Sequence, residues 1–122
     1  MISIQEVISI HDILIKKFGG LKGIRDFQSL ESAINRASQT YDGKDLYPSV
    51  LEKVAALMES LIKNHPFNDG NKRVGYTVGR LILLNNDIDI NATESERFNF
   101  IIQIAENKID YDKILKWLNN HT

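Results

Sequence analysis

The 122-residue chain has no cysteine. That excludes disulfides, a thiolate nucleophile and cysteine-based zinc sites, and nothing points to an oxidising compartment. It also lacks a surplus of either charge: 15 Lys and Arg stand against 16 Asp and Glu, a formal net charge of -1. This balance argues against the broad basic footprint of direct DNA or RNA binding, but it leaves room for a local basic site that takes a small phosphate ligand. Long hydrophobic runs are missing as well. The run Leu81-Ile82-Leu83-Leu84 is far too short to span a bilayer. The first residues, Met1 to Glu6, show no basic region followed by an apolar stretch, so no signal peptide is expected. These absences point to a cytoplasmic protein that does not engage membranes.

No segment sustains the alternation of a strand. Apolar residues recur instead at helical spacing. Ile4, Val7, Ile8, His11, Leu14, Ile15 and Phe18 predict one face of a helix over 3–18, started by a Ser3/Glu6 capping box and stopped by Gly19-Gly20. His11 on that face reads as a core histidine with one satisfied hydrogen bond. A glycine-rich loop follows, in which Arg25 and Asp26 suggest an ion pair or a cap. A second helix is expected over 29–38, with Leu30, Ala33, Ile34 and Ala37 inward.

Residues 39–47 break the pattern and read as a surface connection or as a flap over a ligand, with room for a short hairpin. Ser49 and Glu52 box the start of a central helix. It should end near Asn64-His65, because Pro66 pushes residue 65 toward extended backbone. The next helix should run over 71–85, with Gly75 and Gly79 allowing close packing on a neighbour. Thr93 and Glu96 box another helix, expected to line the core through Phe98, Ile101, Ile102 and Ala105. Asp110 caps the last. The expectation is an all-α, single-domain compact bundle of about six helices over residues 1–122.

Chemistry concentrates in His65-Pro66-Phe67-Asn68-Asp69-Gly70-Asn71-Lys72-Arg73. A helix ends at His65, and the next begins near Asn71 with unpaired N–H groups and the positive end of its dipole. Gly70 removes the Cβ that would block close approach, so the turn suits phosphate. Arg73 adds a planar donor fork, Lys72 a compact charge, and Asn71 an amide able to donate to a phosphate oxygen. One carboxylate, Asp69, together with substrate phosphates is a common way to hold Mg2+. His65 can take a proton from a hydroxyl near neutral pH. Each residue alone also has a plainer reading, as a helix cap or a solvated charge.

The stretch resembles the signature of the Fic/Doc superfamily, His-x-Phe-x-Asp/Glu-Gly-Asn-x-Arg between two helices, and matches it at every position. Gly19-Gly20, Gly23-Ile24-Arg25-Asp26, Leu30-Glu31-Ser32-Ala33 and Leu46-Tyr47-Pro48 are similar to the Doc (death on curing) branch. Lys72 stands where adenylylating Fic enzymes usually carry glycine and Doc members carry lysine.

The resemblance implies the Fic/Doc fold. It also implies a toxin that moves the γ-phosphoryl group of ATP, with Mg2+, to a threonine of elongation factor Tu and so arrests translation. His65 would be the base and Asp69 the metal ligand. Asn68, Gly70, Asn71, Lys72 and Arg73 would hold the nucleotide, with Lys72 and Arg73 counted among the catalytic groups. No inhibitory Ser/Thr-x-x-x-Glu-Gly/Asn run occurs, so inhibition should come in trans from a Phd-like antitoxin. AMP transfer, and a non-catalytic phosphate- or partner-binding module, stay open as alternatives.

Overall fold

The computed structural model describes all residues, Met1–Thr122. Six helices follow one another: α1 (Ile4–Phe18), α2 (Phe27–Arg36), α3 (Val50–Lys63), α4 (Asn71–Asn85), α5 (Glu94–Ala105) and α6 (Tyr111–Asn120). Between α2 and α3 lies a hairpin of two short antiparallel strands, β1 (Thr40–Tyr41) and β2 (Lys44–Asp45), in the register Thr40↔Asp45. It is exposed throughout.

The helix starts follow the side chains that cap them. Ser3/Glu6, Ser49/Glu52 and Thr93/Glu96 each form a reciprocal capping box, and Asp26 and Asp110 cap α2 and α6 through a side-chain oxygen. The second helix therefore begins at Phe27, two residues before the expected Ser29. The Asp26 carboxylate binds the Ser29 N–H and hydroxyl and sets the start ahead of the apolar pattern.

Helix α3 is the centre, with eight buried residues from Val54 to Ile62. Helix α4 lies against it closely enough that a Cβ on Gly75 would come within 2.6 Å of Ile62 Cγ1, and one on Gly79 within 2.9 Å of Met58. Both glycines are there for that approach. A single core cluster of 21 buried residues draws on every helix.

Two expectations about faces change. Phe98 is 64% exposed, and the core face of α5 is Phe100 and Ile104. The helix has two apolar stripes, and periodicity cannot choose between them. Phe100 wins because it stacks on Trp117 of α6 at 3.8 Å. Phe18 is also half exposed rather than in the core. No helix is long and apolar enough to cross a membrane.

Candidate active site

The end of α3, the turn 64–70 and the start of α4 form one wall of a cavity of about 570 Å3. His65, Asn68, Asp69, Gly70, Asn71, Lys72 and Arg73 all line it, as do Tyr76 and Thr77 from α4 and Arg97, Phe98 and Ile101 from α5. The residues expected to act together are thus brought to one place. The α5 residues that face them were assigned to the core or left without a role by the sequence.

The turn is held from several sides. His65 has φ +49°, in the left-handed region, instead of the extended backbone expected before a proline. Such a conformation in a residue with a Cβ costs about 1–2 kcal/mol, and Arg25 holds it. Its Nε donates to the His65 carbonyl at 2.6 Å and its Nη2 to that of Asn64 at 2.8 Å. The loop before α2 also pairs with the turn through backbone. Arg25 and Asp26 N–H groups donate to the Pro66 carbonyl, and the Asn68 N–H donates to that of Gly23. Phe67 is 1% exposed and plugs the core beneath.

His11 is buried, as expected, and its single hydrogen bond goes to the site. Nε2 lies 2.7 Å from the Asp69 carbonyl and donates to it, while the ring stacks on Phe67 at 3.8 Å and 8°. The histidine pins the backbone on either side of Asn68.

Asn71 also holds the turn. Its Oδ1 accepts from the Phe67 N–H and its Nδ2 donates to the Phe67 carbonyl, both at 3.0 Å. These bonds close the turn and use one of the two Nδ2 protons. The same Nδ2 sits 3.5 Å from His65 Nδ1, close enough to orient the ring but too long to fix its tautomer. The Asn68 amide donates to the Lys22 carbonyl at 2.9 Å. What faces the cavity as a donor set is the start of α4. Gly70, with φ +78°, offers no side-chain cap, so the first-turn N–H groups stay open.

The Asp69 carboxylate accepts from the Leu21 N–H at 3.1 Å and the Gly70 N–H at 2.9 Å. These two bonds, with Lys72 nearby, hold its pKa below the ordinary carboxylate value. A Cβ on Gly20 would come within 2.7 Å of Asp69 Oδ2, so glycine there lets the loop reach the carboxylate. Lys72 and Arg73 form no ion pair within the chain. The Arg73 guanidinium lies over the Phe18 ring at 4.1 Å, which gives the half-exposed phenylalanine a use that helical periodicity does not reveal.

An ionised carboxylate, an imidazole at a helix end, an uncapped helix start and two free cations around one cavity suit a phosphate ester. A profile of the Fic/DOC family matches residues 1–83. The chain belongs to the Fic/Doc family. Among its relatives, the protein named Toxin Doc from Mycolicibacterium smegmatis is 34% identical over 103 residues, covering 80% of this chain and 76% of that one. The protein kinase doc of Escherichia phage P1 is 30% identical over 89 residues, 73% of this chain and 70% of its own length. The Fic/Doc match takes in α1, α2, the hairpin, α3 and nearly all of α4, and stops short of α5.

Proposed function

We propose that this Fic/Doc protein is a toxin that transfers the γ-phosphoryl group of ATP to a hydroxyl on a protein. The supporting observation is the pairing of Lys72, unpartnered beside the open start of α4, with His65 and Asp69 on the same cavity wall. The two relatives named as a toxin and as a protein kinase support the same reading.

The triphosphate lies along the first turn of α4, where the backbone N–H groups, Lys72 and Arg73 neutralise its charge. The acceptor oxygen attacks the γ-phosphorus while the bond to the β–γ bridging oxygen breaks, and ADP leaves. His65 takes the proton lost by the hydroxyl. Positioning and charge neutralisation provide most of the catalysis in such a transfer. Asp69 fits a Mg2+ site, since its carboxylate is ionised and each oxygen keeps a lone pair beyond its one hydrogen bond. Bound there, Mg2+ would add charge neutralisation between phosphates.

On the family resemblance, the acceptor is a threonine of elongation factor Tu, the setting is the cytoplasm, and a Phd-like antitoxin restrains the toxin in trans. The test is incubation of the purified protein with a bacterial lysate and ATP labelled at either the γ or the α phosphate. Transfer from the γ position alone is expected, and His65→Ala should lower it about 10^2- to 10^4-fold. Lys72→Gly should lower it as well. Label arriving from the α position in the wild-type protein would refute phosphoryl transfer and establish AMP transfer.

A further inference from the structure

One stripe of α1 follows the turn and the first residues of α4 step by step. His11 meets the Asp69 carbonyl. Ile15, one turn on, lies against Gly70, where a Cβ would stand 3.4 Å from its Cδ1. Phe18, the last residue of α1, brings its ring to 4.1 Å from the Arg73 guanidinium. Residues spaced by four and then three share a helix face, so a single helix sets all three contacts. His11 and Ile15 are buried there, but Phe18 is 53% exposed, and it does not line the cavity. A ring left half in water gains little from burial, so burial does not explain its place beside Arg73.

The other arginines show what Arg73 is spared. Arg25, Arg36 and Arg80 each donate two or more hydrogen bonds to oxygen atoms, and Arg97 donates one to the Ala92 carbonyl. The Arg73 guanidinium has no oxygen partner in the chain, neither a carbonyl nor a carboxylate. A carboxylate would hold it in place, but would also use its donors and cancel its charge. An aromatic ring attracts the cation through its quadrupole and does neither. Arg73 lines the cavity while it rests on Phe18. Lys17 approaches the same ring only to 5.4 Å, near the outer limit of such contacts.

We propose that Phe18 is a positioning residue for phosphate binding: its ring holds the Arg73 guanidinium at the cavity with its donor fork unspent. Phe18 touches no phosphate and acts only through Arg73. The role rests on reading the α4 start as the phosphate cradle. Without the ring, the long arginine side chain regains its rotamers, and the ligand must order it on binding, which lowers affinity. With the ring, that ordering is complete before a phosphate enters. No contact has to break first, because the guanidinium already faces the cavity from its place on Phe18.

The test is a double-mutant cycle on the purified chain, read as affinity for Mg2+-ATP by calorimetric titration. Phe18→Leu keeps an apolar side chain and removes the quadrupole. It should weaken binding about two- to fivefold, the worth of one exposed cation–π contact. Phe18→Trp, which restores a ring, should bind at least as tightly as wild type. Arg73→Ala should weaken binding further than Phe18→Leu, and adding Phe18→Leu to Arg73→Ala should change nothing more. Wild-type affinity in Phe18→Leu would overturn the role. So would an equal loss from Phe18→Leu with and without Arg73, which would make Phe18 a matter of helix packing. Tighter binding in Phe18→Leu would mean that the ring draws Arg73 away from phosphate. If Arg73→Ala itself binds as wild type does, the phosphate cradle fails and the role of Phe18 falls with it.

Discussion

Replacing His11 tests whether a buried residue far from the signature in sequence holds the site in shape. In His11→Leu the ring volume is largely kept, but two interactions are lost. The Asp69 carbonyl loses its 2.7 Å donor, and an acceptor left unpaired in a partly buried place costs about 1–3 kcal/mol. The stack on Phe67 at 3.8 Å goes as well, worth about 0.5–1.5 kcal/mol beyond area. A loss of about 2–3 kcal/mol follows, because water can reach the carbonyl in part. For a chain of this size that lowers Tm by roughly 6–15 °C.

Transfer should fall further than stability alone explains, since the freed carbonyl belongs to the residue that carries the carboxylate. His11→Gln separates the two causes. Its amide nitrogen can reach the place of Nε2 and keep the hydrogen bond, but it cannot stack. It should lose about 1 kcal/mol and keep most of the activity at a temperature where it is folded. The measurements are thermal unfolding and the rate of label transfer from γ-labelled ATP. A His11→Leu protein with wild-type Tm and rate would refute the role given to His11. Equal loss of rate in both variants would assign that role to the stack rather than the hydrogen bond.

The turn should respond to Arg25→Ala in a similar way. Losing both donors to the His65 and Asn64 carbonyls should cost about 1 kcal/mol, seen by urea denaturation, and should lower transfer more through release of the His65 backbone. An unchanged rate would show that the left-handed turn holds itself. Gly75→Val places a branched Cβ within 2.6 Å of Ile62 Cγ1. It should destabilise by about 1–3 kcal/mol, and an unmoved denaturation midpoint would show that α3 and α4 can part without penalty. The Thr93 N–H and hydroxyl, and then His121, hold the Glu96 carboxyl below its ordinary value of 4.5. A lowered folded pKa stabilises at pH values above that figure, and the gain is lost as pH falls through it toward the folded value. Tm followed from pH 7 to pH 3 should therefore drop less steeply in Glu96→Gln than in wild type, and parallel curves would remove Glu96 from the acid response.

The helices themselves were legible in the order of residues. Capping boxes at Ser3, Ser49 and Thr93 act over three residues, and the apolar stripes of α3 and α4 repeat every turn, so local chemistry alone marks those elements. The turn that lines the cavity was legible for the same reason: His65, Asp69, Gly70, Lys72 and Arg73 lie within nine residues and need no distant partner to be close together. What residue order could not decide is how each side chain is used once distant segments meet. Asn71 reads as a free amide until Phe67 claims both of its ends. His11 reads as core until Asp69, 58 residues away, takes its proton donor. Phe18 finds Arg73, and Phe98 gives up the core to Phe100 because Trp117 of α6 arrives to stack on it. A helix with two apolar stripes has two faces of similar burial energy. Only the packing of the neighbouring helices makes one of them core and leaves the other on the cavity.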